Sequence, residues 1–245
     1  MEEQIKLSVV IPAYNEGERI IKTLDSVDEY LKKQNYSYEI MVIANNCKDN
    51  TDEVVENQKL RIANLKLLDL GPGVPGKGGA VKEGFLKTQG QYVMFMDADN
   101  ATQINELDHF WPKINEGFDI VIGSRDTKGA KLDKAQPWYK ELAGKLGNVL
   151  IQIVAVPGIN DTQCGFKLFS ADAVEKIFNV QKLGGWGFDI EILALARKYG
   201  FKIAEEPITW HDMAGSKVNL SSYLGVFKDL FKVRWWLWMG VYKKK

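Results

Sequence analysis

Five consecutive residues, Tyr92-Val93-Met94-Phe95-Met96, are apolar or aromatic, and the run stops at Asp97-Ala98-Asp99. A strand that reads apolar on both faces must be covered on both, the condition of a central strand in a mostly parallel sheet flanked by helices. The C-terminal ends of such strands open onto the crevice where α/β proteins hold their ligands, so the two carboxylates fall at a mouth. At strand spacing, residues two apart point the same way, and Asp97 and Asp99 are therefore expected to face one hard divalent cation or its water shell. On the tripeptide alone a solvated turn or a helix N-cap reads equally well.

The same grammar recurs along the chain. Residues 6–11 make an apolar strand closed by Pro12-Ala13-Tyr14-Asn15-Glu16, after which Ile20, Leu24, Val27 and Leu31 repeat at helical spacing. Asn15 reads as the N-cap of that helix and Glu18 as its capping-box partner. A second strand spans residues 39–43 and leads through Ala44-Asn45-Asn46 into a polar helix containing Val54 and Val55. Residues 120–122 form a further strand, ending in Gly123-Ser124-Arg125. Alternating strands and helices imply parallel pairing through right-handed crossovers. Between these elements lies Gly71-Pro72-Gly73-Val74-Pro75-Gly76-Lys77-Gly78-Gly79-Ala80, the most glycine-rich segment. With a helix beginning near Ala80, its backbone N–H groups and Lys77 would suit a diphosphate; a merely flexible loop fits the spacing as well. Arg125 at a strand end offers a bidentate fork for phosphate, an exposed ion-pairing arginine being the alternative.

With 245 residues and 45% hydrophobic content, the chain suits one large α/β domain and a short appendage. Lys plus Arg and Asp plus Glu are 32 each, so a nucleic-acid partner is not expected. Cys47 and Cys164 lack metal-ligand spacing, and the acidic start Met1-Glu2-Glu3-Gln4 lacks the features of a signal peptide, which places the expected site in a reducing, cytoplasmic setting. His211 has no partner at ligand spacing and reads as structural or surface.

Two segments bear on membranes. Leu142, Leu146, Val149, Leu150 and Ile153 share one helical stripe, and residues 146–160 carry no charge, yet Pro157-Gly158 interrupts any span; a core helix and a membrane-surface helix both fit. In the tail, Leu224, Phe227, Leu230, Phe231, Trp235, Trp236 and Trp238 alternate with Lys228, Lys232 and Arg234, and Lys243-Lys244-Lys245 follow. Amphipathic rings beside cations suit a helix at a headgroup interface, the alternative being a helix docked on the core.

Taken together, Ile11-Pro12-Ala13-Tyr14-Asn15-Glu16, Lys77-Gly78-Gly79-Ala80-Val81, Asp97-Ala98-Asp99, Gly123-Ser124-Arg125, Asp161-Thr162-Gln163-Cys164-Gly165-Phe166-Lys167-Leu168-Phe169, Trp186-x-Phe188-Asp189 and Gly215-Ser216-Lys217 resemble, in order, the family 2 glycosyltransferases, and among them the polyprenyl-phosphate glycosyltransferases, most closely those that transfer glucose to dolichyl phosphate. The resemblance implies a GT-A fold over residues 1–218, an amphipathic membrane-interface tail over 219–245, and inverting transfer of a hexose from a nucleotide sugar to dolichyl or polyprenyl phosphate at the cytoplasmic membrane face. It implies a donor site of Pro12, Tyr14, Glu16, Asn45, Lys77, Gly78, Asp97 and Ser216, with Mg²⁺ or Mn²⁺ on Asp97 and Asp99. Arg125 and Lys145 would hold the acceptor phosphate, and the catalytic set would be Asp99, Arg125, Asp161 and Lys217. UDP-glucose is the first expected donor, with UDP-N-acetylglucosamine and GDP-mannose as alternatives; a silent nucleotide-sugar-binding scaffold subunit is the reading from another class. A membrane-spanning partner or a homo-oligomer is compatible with all of these. The sequence departs from the family pattern twice. Asn45 stands near the acid that usually contacts the base, and Ala101 stands where mannose-transferring relatives carry a third metal-site side chain. A lipid phosphate is already an anionic nucleophile, so no histidine base is required.

Overall fold

A computed structural model describes residues 4–133, 138–213 and 220–243, and gives the backbone alone for residues 138–143, 145, 220, 221 and 223. In chain order the elements are β1 Leu7–Ala13, α1 Ile20–Leu31, β2 Tyr38–Ala44, α2 Thr51–Lys59, β3 Leu65–Asp69, α3 Gly76–Phe85 and β4 Tyr92–Met96. A 3₁₀ turn at Ile104–His109 leads into α4 Phe110–Asn115, then β5 Ile120–Ser124, β6 Lys131–Leu132 and α5 Trp138–Val154. The remainder is β7 Phe166–Ser170, α6 Ala171–Phe178, α7 Phe188–Lys198, β8 Ile203–Pro207, β9 Thr209–Trp210 and α8 Leu220–Trp238.

Seven strands form the main sheet in the order β3-β2-β1-β4-β7-β5-β8, and β6 pairs with β9 in a small second sheet. The chain steps outward from β1 to β2 and β3, then returns to place β4 on the other side of β1. That reversal opens a crevice beyond the ends of β1 and β4, the position where doubly wound sheets bind ligands. Parallel pairing is the rule, as expected, with one exception. β7 runs antiparallel to both neighbours, Met96 facing Phe166 and Ile122 facing Lys167. Because β7 begins where β4 and β5 end, the residues preceding it join the crevice.

Apolar runs in the strands feed two cores. Val10, Val93 and Phe95 point to the side covered by α3, α6 and α7, whereas Val9, Ile11, Met94 and Met96 point to the side of α1 and Phe110. All four apolar positions predicted for α1 are fully buried. Its predicted cap is not formed: Asn15 adopts φ +52°, helix α1 starts at Ile20, and Glu16 instead holds Arg19 through two hydrogen bonds of 2.8 Å. α3 also begins earlier than expected, at Gly76, which places Lys77 in its first turn.

Helix α8 packs on α7 and α5. Val226, Leu230 and Val233 turn inward, while Leu224, Phe231, Trp235 and Trp238 face outward. On α5, three residues of the predicted stripe, Leu146, Val149 and Ile153, are exposed, Leu150 is half-buried against the core and Ile151 is buried, while the side chain of Leu142 lies outside the described residues. Among the described residues no helix is long and apolar enough to cross a membrane.

Candidate functional site

The crevice is lined first by the ends of β1 and β4. Pro12 lies beyond Val10, the last residue that β1 pairs with β4, so its missing N–H costs that pairing nothing. Tyr14 is exposed, and Glu16 N–H donates to Thr51 Oγ1 at 2.8 Å, fixing the loop to the start of α2. Asn45 is buried, its Nδ2 donates to Gly76 O at 2.9 Å, and among the described residues nothing donates to its Oδ1.

β4 ends at Met96, and the residues after Asp97 form a turn rather than a continued strand. Strand alternation therefore does not set the relation of the two carboxylates; Asp99 sits in a turn. Asn100 at φ +58°, Thr23 Oγ1 donating to Ala98 O at 2.7 Å and Ala101 N–H donating to Asp99 Oδ1 at 3.0 Å set its shape. Burial, and then the neighbouring Asp97 carboxylate, push the Asp99 carboxyl above its ordinary value. Two acids that repel each other at a mouth are a fit for a divalent cation, which would relieve that repulsion while leaving most of its oxygen shell to other ligands. Asp97 N–H donates to Gly165 O at 3.1 Å, and a Cβ at Gly165 would lie 1.9 Å from Asp97 Oδ2, so the glycine leaves the carboxylate its place.

Lys77 reaches Asp97 Oδ1 at 2.5 Å between the rings of Phe95 and Trp186, 5.1 and 5.3 Å from their centroids. Burial works against its charge, but Asp97, Asp189 and Asp99 together outweigh that and raise its pKa. Gly78 follows Lys77 with no room for a side chain, since a Cβ there would meet Phe188 Cβ at 2.5 Å.

Arg125 leaves the end of β5 and is gripped at three points by Asp161, through its own N–H at 3.0 Å, Nε at 2.7 Å and Nη2 at 2.9 Å. Its guanidinium carbon lies 5.8 Å from the centre of the Trp210 ring on β9. Burial alone would raise the Asp161 carboxyl, but the Arg125 charge and its hydrogen bonds hold it below the ordinary range. Asp161 is thus an ionised anchor for Arg125. Asp97, Arg125 and Trp210 line one cavity of about 50 Å³ with Ala101, Thr102 and Cys164. A larger cavity of about 330 Å³ lies between α3 and α6 beside Val93, near the start of β4 and away from these groups, with Glu175 its one charged lining residue.

Behind the site, Lys167 is fully buried and pairs with Asp189 Oδ1 at 2.5 Å. In sequence Asp161 and Lys167 bracket one turn, but the fold gives each a different partner. Of the two tryptophans beside Lys77 and Arg125, Trp186 belongs to the Trp186-x-Phe188-Asp189 motif quoted above, whereas Trp210 had no signal beyond its place at a strand end. His211 pairs with Asp133, in line with a structural role. Ser216 and Lys217 lie outside the described residues, as does the side chain of Lys145, whose backbone belongs to α5. Among the described residues no cluster of three or more His, Cys, Asp or Glu side chains placed to hold a metal occurs.

Residues 8–178 match the profile of glycosyl transferase family 2. The chain is 37% identical over 240 residues to a dolichyl-phosphate beta-glucosyltransferase of Trichomonas vaginalis, covering 94% of this chain and 73% of the relative. A dolichyl-phosphate beta-glucosyltransferase of Dictyostelium discoideum is 36% identical over 256 residues, covering 99% of this chain and 78% of that one. In fold, the crystal structure of glucosyl-3-phosphoglycerate synthase from Mycobacterium tuberculosis with Mn²⁺, UDP and phosphoglyceric acid superposes with a TM-score of 0.67 at 21% identity, over 94% of this chain and 78% of that chain.

Proposed function

Because the chain belongs to glycosyl transferase family 2, with a GT-A fold, we propose that it transfers glucose from UDP-glucose to dolichyl or a related polyprenyl phosphate, with inversion, on the cytoplasmic face of a membrane. The observation that carries this reading is the shared cavity. One wall holds Asp97, of the acidic pair suited to a diphosphate-bound metal, and another holds Arg125, a cation suited to an acceptor phosphate. Relatives named for glucosyl transfer to dolichyl phosphate, alike over nearly the whole chain, support the same assignment.

Asp97 and Asp99 would hold Mg²⁺ or Mn²⁺, which when bound draws off the charge that develops on the leaving diphosphate. Lys77, in the first turn of α3, adds a cation and a helix N-terminus on the donor side. Arg125 is fixed by Asp161 so that it meets the acceptor without reorganising. The acceptor phosphate brings its own negative charge and needs no base, which agrees with Asp161 being committed to Arg125. Asn45 leaves the choice of base open, since both uracil N3–H and guanine N1–H are donors that its Oδ1 could accept. Ala101 in the cavity wall supports glucose over mannose on the family pattern.

The exposed apolar faces of α5 and α8, with Lys228, Lys232 and Arg234 beside the second, support peripheral docking on an anionic bilayer. Purified chain incubated with vesicles containing polyprenyl phosphate and, in separate tubes, labelled UDP-glucose, UDP-N-acetylglucosamine or GDP-mannose with Mn²⁺ is expected to place label in the organic phase from UDP-glucose. Lipid label from another donor would correct the sugar; folded, vesicle-bound protein giving none would overturn the enzyme reading in favour of a scaffold subunit. In the same assay Gly165→Ala is expected to lose about a hundredfold in rate, because its Cβ would displace the Asp97 carboxylate. Retention of full activity would remove Asp97 from the metal site.

A further inference from the structure

Glu191, on α7, is fully buried outside the cavity described above. Its Oε1 accepts from Lys182 N–H at 2.9 Å and from the Tyr242 hydroxyl at 2.8 Å, and its Oε2 accepts from Leu183 N–H at 2.7 Å. Tyr242 reaches this point from beyond the end of α8 and is itself buried. One carboxylate thus ties the end of the chain to two successive amides of the loop 181–184. Burial raises the carboxyl's pKa, and these hydrogen bonds oppose the rise.

That loop presses directly on the start of α3. Gln181 Nε2 donates to Gly78 O at 3.0 Å and to Leu183 O at 2.8 Å, Lys82 Nζ donates to Gln181 O at 2.7 Å, and Gly79 N–H donates to Gly184 O at 3.1 Å. There is no slack between the two segments. A Cβ at Gly184 would lie 2.3 Å from Pro75 O, and one at Gly78 would lie 2.8 Å from Leu183 O. The turn that carries Lys77 is therefore placed by the loop, the loop by Glu191, and Glu191 by Tyr242.

We propose that Glu191 and Tyr242 are positioning residues for the nucleotide diphosphate, acting through the loop 181–184 on the first turn of α3. The inference rests on the donor reading of that turn. A carboxylate suits the task because its two oxygens accept from adjacent amides and a hydroxyl at once, whereas an amide side chain in the same place would turn an N–H₂ toward one of those donors.

The test uses the full chain, with UDP and Mn²⁺ as the titrated probe, followed by steady-state transfer with UDP-glucose and polyprenyl phosphate. Tyr242→Phe is expected to weaken UDP binding roughly tenfold and to raise KM for the sugar nucleotide in step, leaving KM for the lipid phosphate within about twofold. Glu191→Gln is expected to do the same more strongly. Val233→Ala, buried on α8 but outside this hydrogen-bonded chain, serves as the control and is expected to lower the melting temperature without changing UDP affinity. Unchanged UDP binding by Tyr242→Phe, or an equal loss in Val233→Ala, would overturn the inference. Failure of the unmodified chain to bind UDP would overturn the donor reading with it.

Discussion

Asp99→Ala is expected to lower the rate of sugar transfer by roughly a thousandfold while leaving the unfolding transition in place. Asp99 is held in an unfavourable position: burial and Asp97 both push its carboxyl toward the protonated form. Removing it relieves that repulsion, so stability is retained, and what is lost is half of the carboxylate pair that can hold a cation. The Ala101 N–H that now donates to Asp99 Oδ1 is part-buried, next to a crevice where water can replace the acceptor. Circular dichroism together with the lipid-extraction assay separates the outcomes. A folded Asp99→Ala chain with activity within tenfold of the unmodified protein would show that the site works without this acid, and transfer absent from both would favour the scaffold reading.

Lys167→Met is expected to have the largest effect on stability, a loss of about 3–5 kcal/mol. Lys167 is fully buried, pairs with Asp189 Oδ1 at 2.5 Å, donates to Cys164 O and lies 5.5 Å from the centre of the Phe95 ring. Without it, Asp189 would be a buried acid whose remaining nearby cation is Lys77. Burial already pushes Asp189 above the ordinary carboxylate range despite both lysines, and losing one drives it further. The sign of the pH dependence follows. A carboxyl whose folded pKa lies above its unfolded value of about 3.9 costs nothing below that value, and costs progressively more as pH rises toward the folded pKa. The deficit of Lys167→Met is therefore expected to be smaller at pH 4 than at pH 7, measured by urea unfolding at both. The double variant Lys167→Met/Asp189→Leu should recover most of the loss. A deficit under about 1 kcal/mol, or one independent of pH, would mean that water reaches the pair.

Where the sequence carried a run or a period, it was legible. Strands β1, β2, β4 and β5 declare themselves because burial on both faces keeps them mostly apolar, buried Ser8 and Glu39 satisfying each other by a hydrogen bond, and α1 because its buried positions repeat at helical spacing. β3 does not: its residues Leu-Lys-Leu-Leu-Asp sit at the sheet edge, largely half-exposed, and the pattern there is mixed. α6 is a helix that the sequence reading missed, although Ser170 accepts from Ala173 N–H ahead of the buried Ala173, Val174, Ile177 and Phe178. Asn15 misled because the preference of asparagine for helix caps and for left-handed backbone is one property, and here the loop used the second. The site acids were readable from their place at strand ends, but their partners were not. Arg125 and Asp161 lie 36 residues apart, and Lys167 and Asp189 lie 22 apart, so only the register of β7 between β4 and β5 brings them together.

That reversed strand also sets the order in which the protein becomes safe from itself during synthesis. β4 is flanked by β1 on one side and by β7 on the other, and its partners on the β7 side lie from 70 residues away (Met96 with Phe166) to 78 (Tyr92 with Ser170). A growing chain that has finished β4 therefore presents Val93, Met94, Phe95 and Met96 along an unpaired edge until residue 170 has left the ribosome. At roughly 5–20 residues per second that interval lasts several seconds. An apolar strand with an open edge is a template for pairing with a second chain, so nascent chains halted between residues 100 and 165 should be the sticky ones, and chaperone occupancy should peak there.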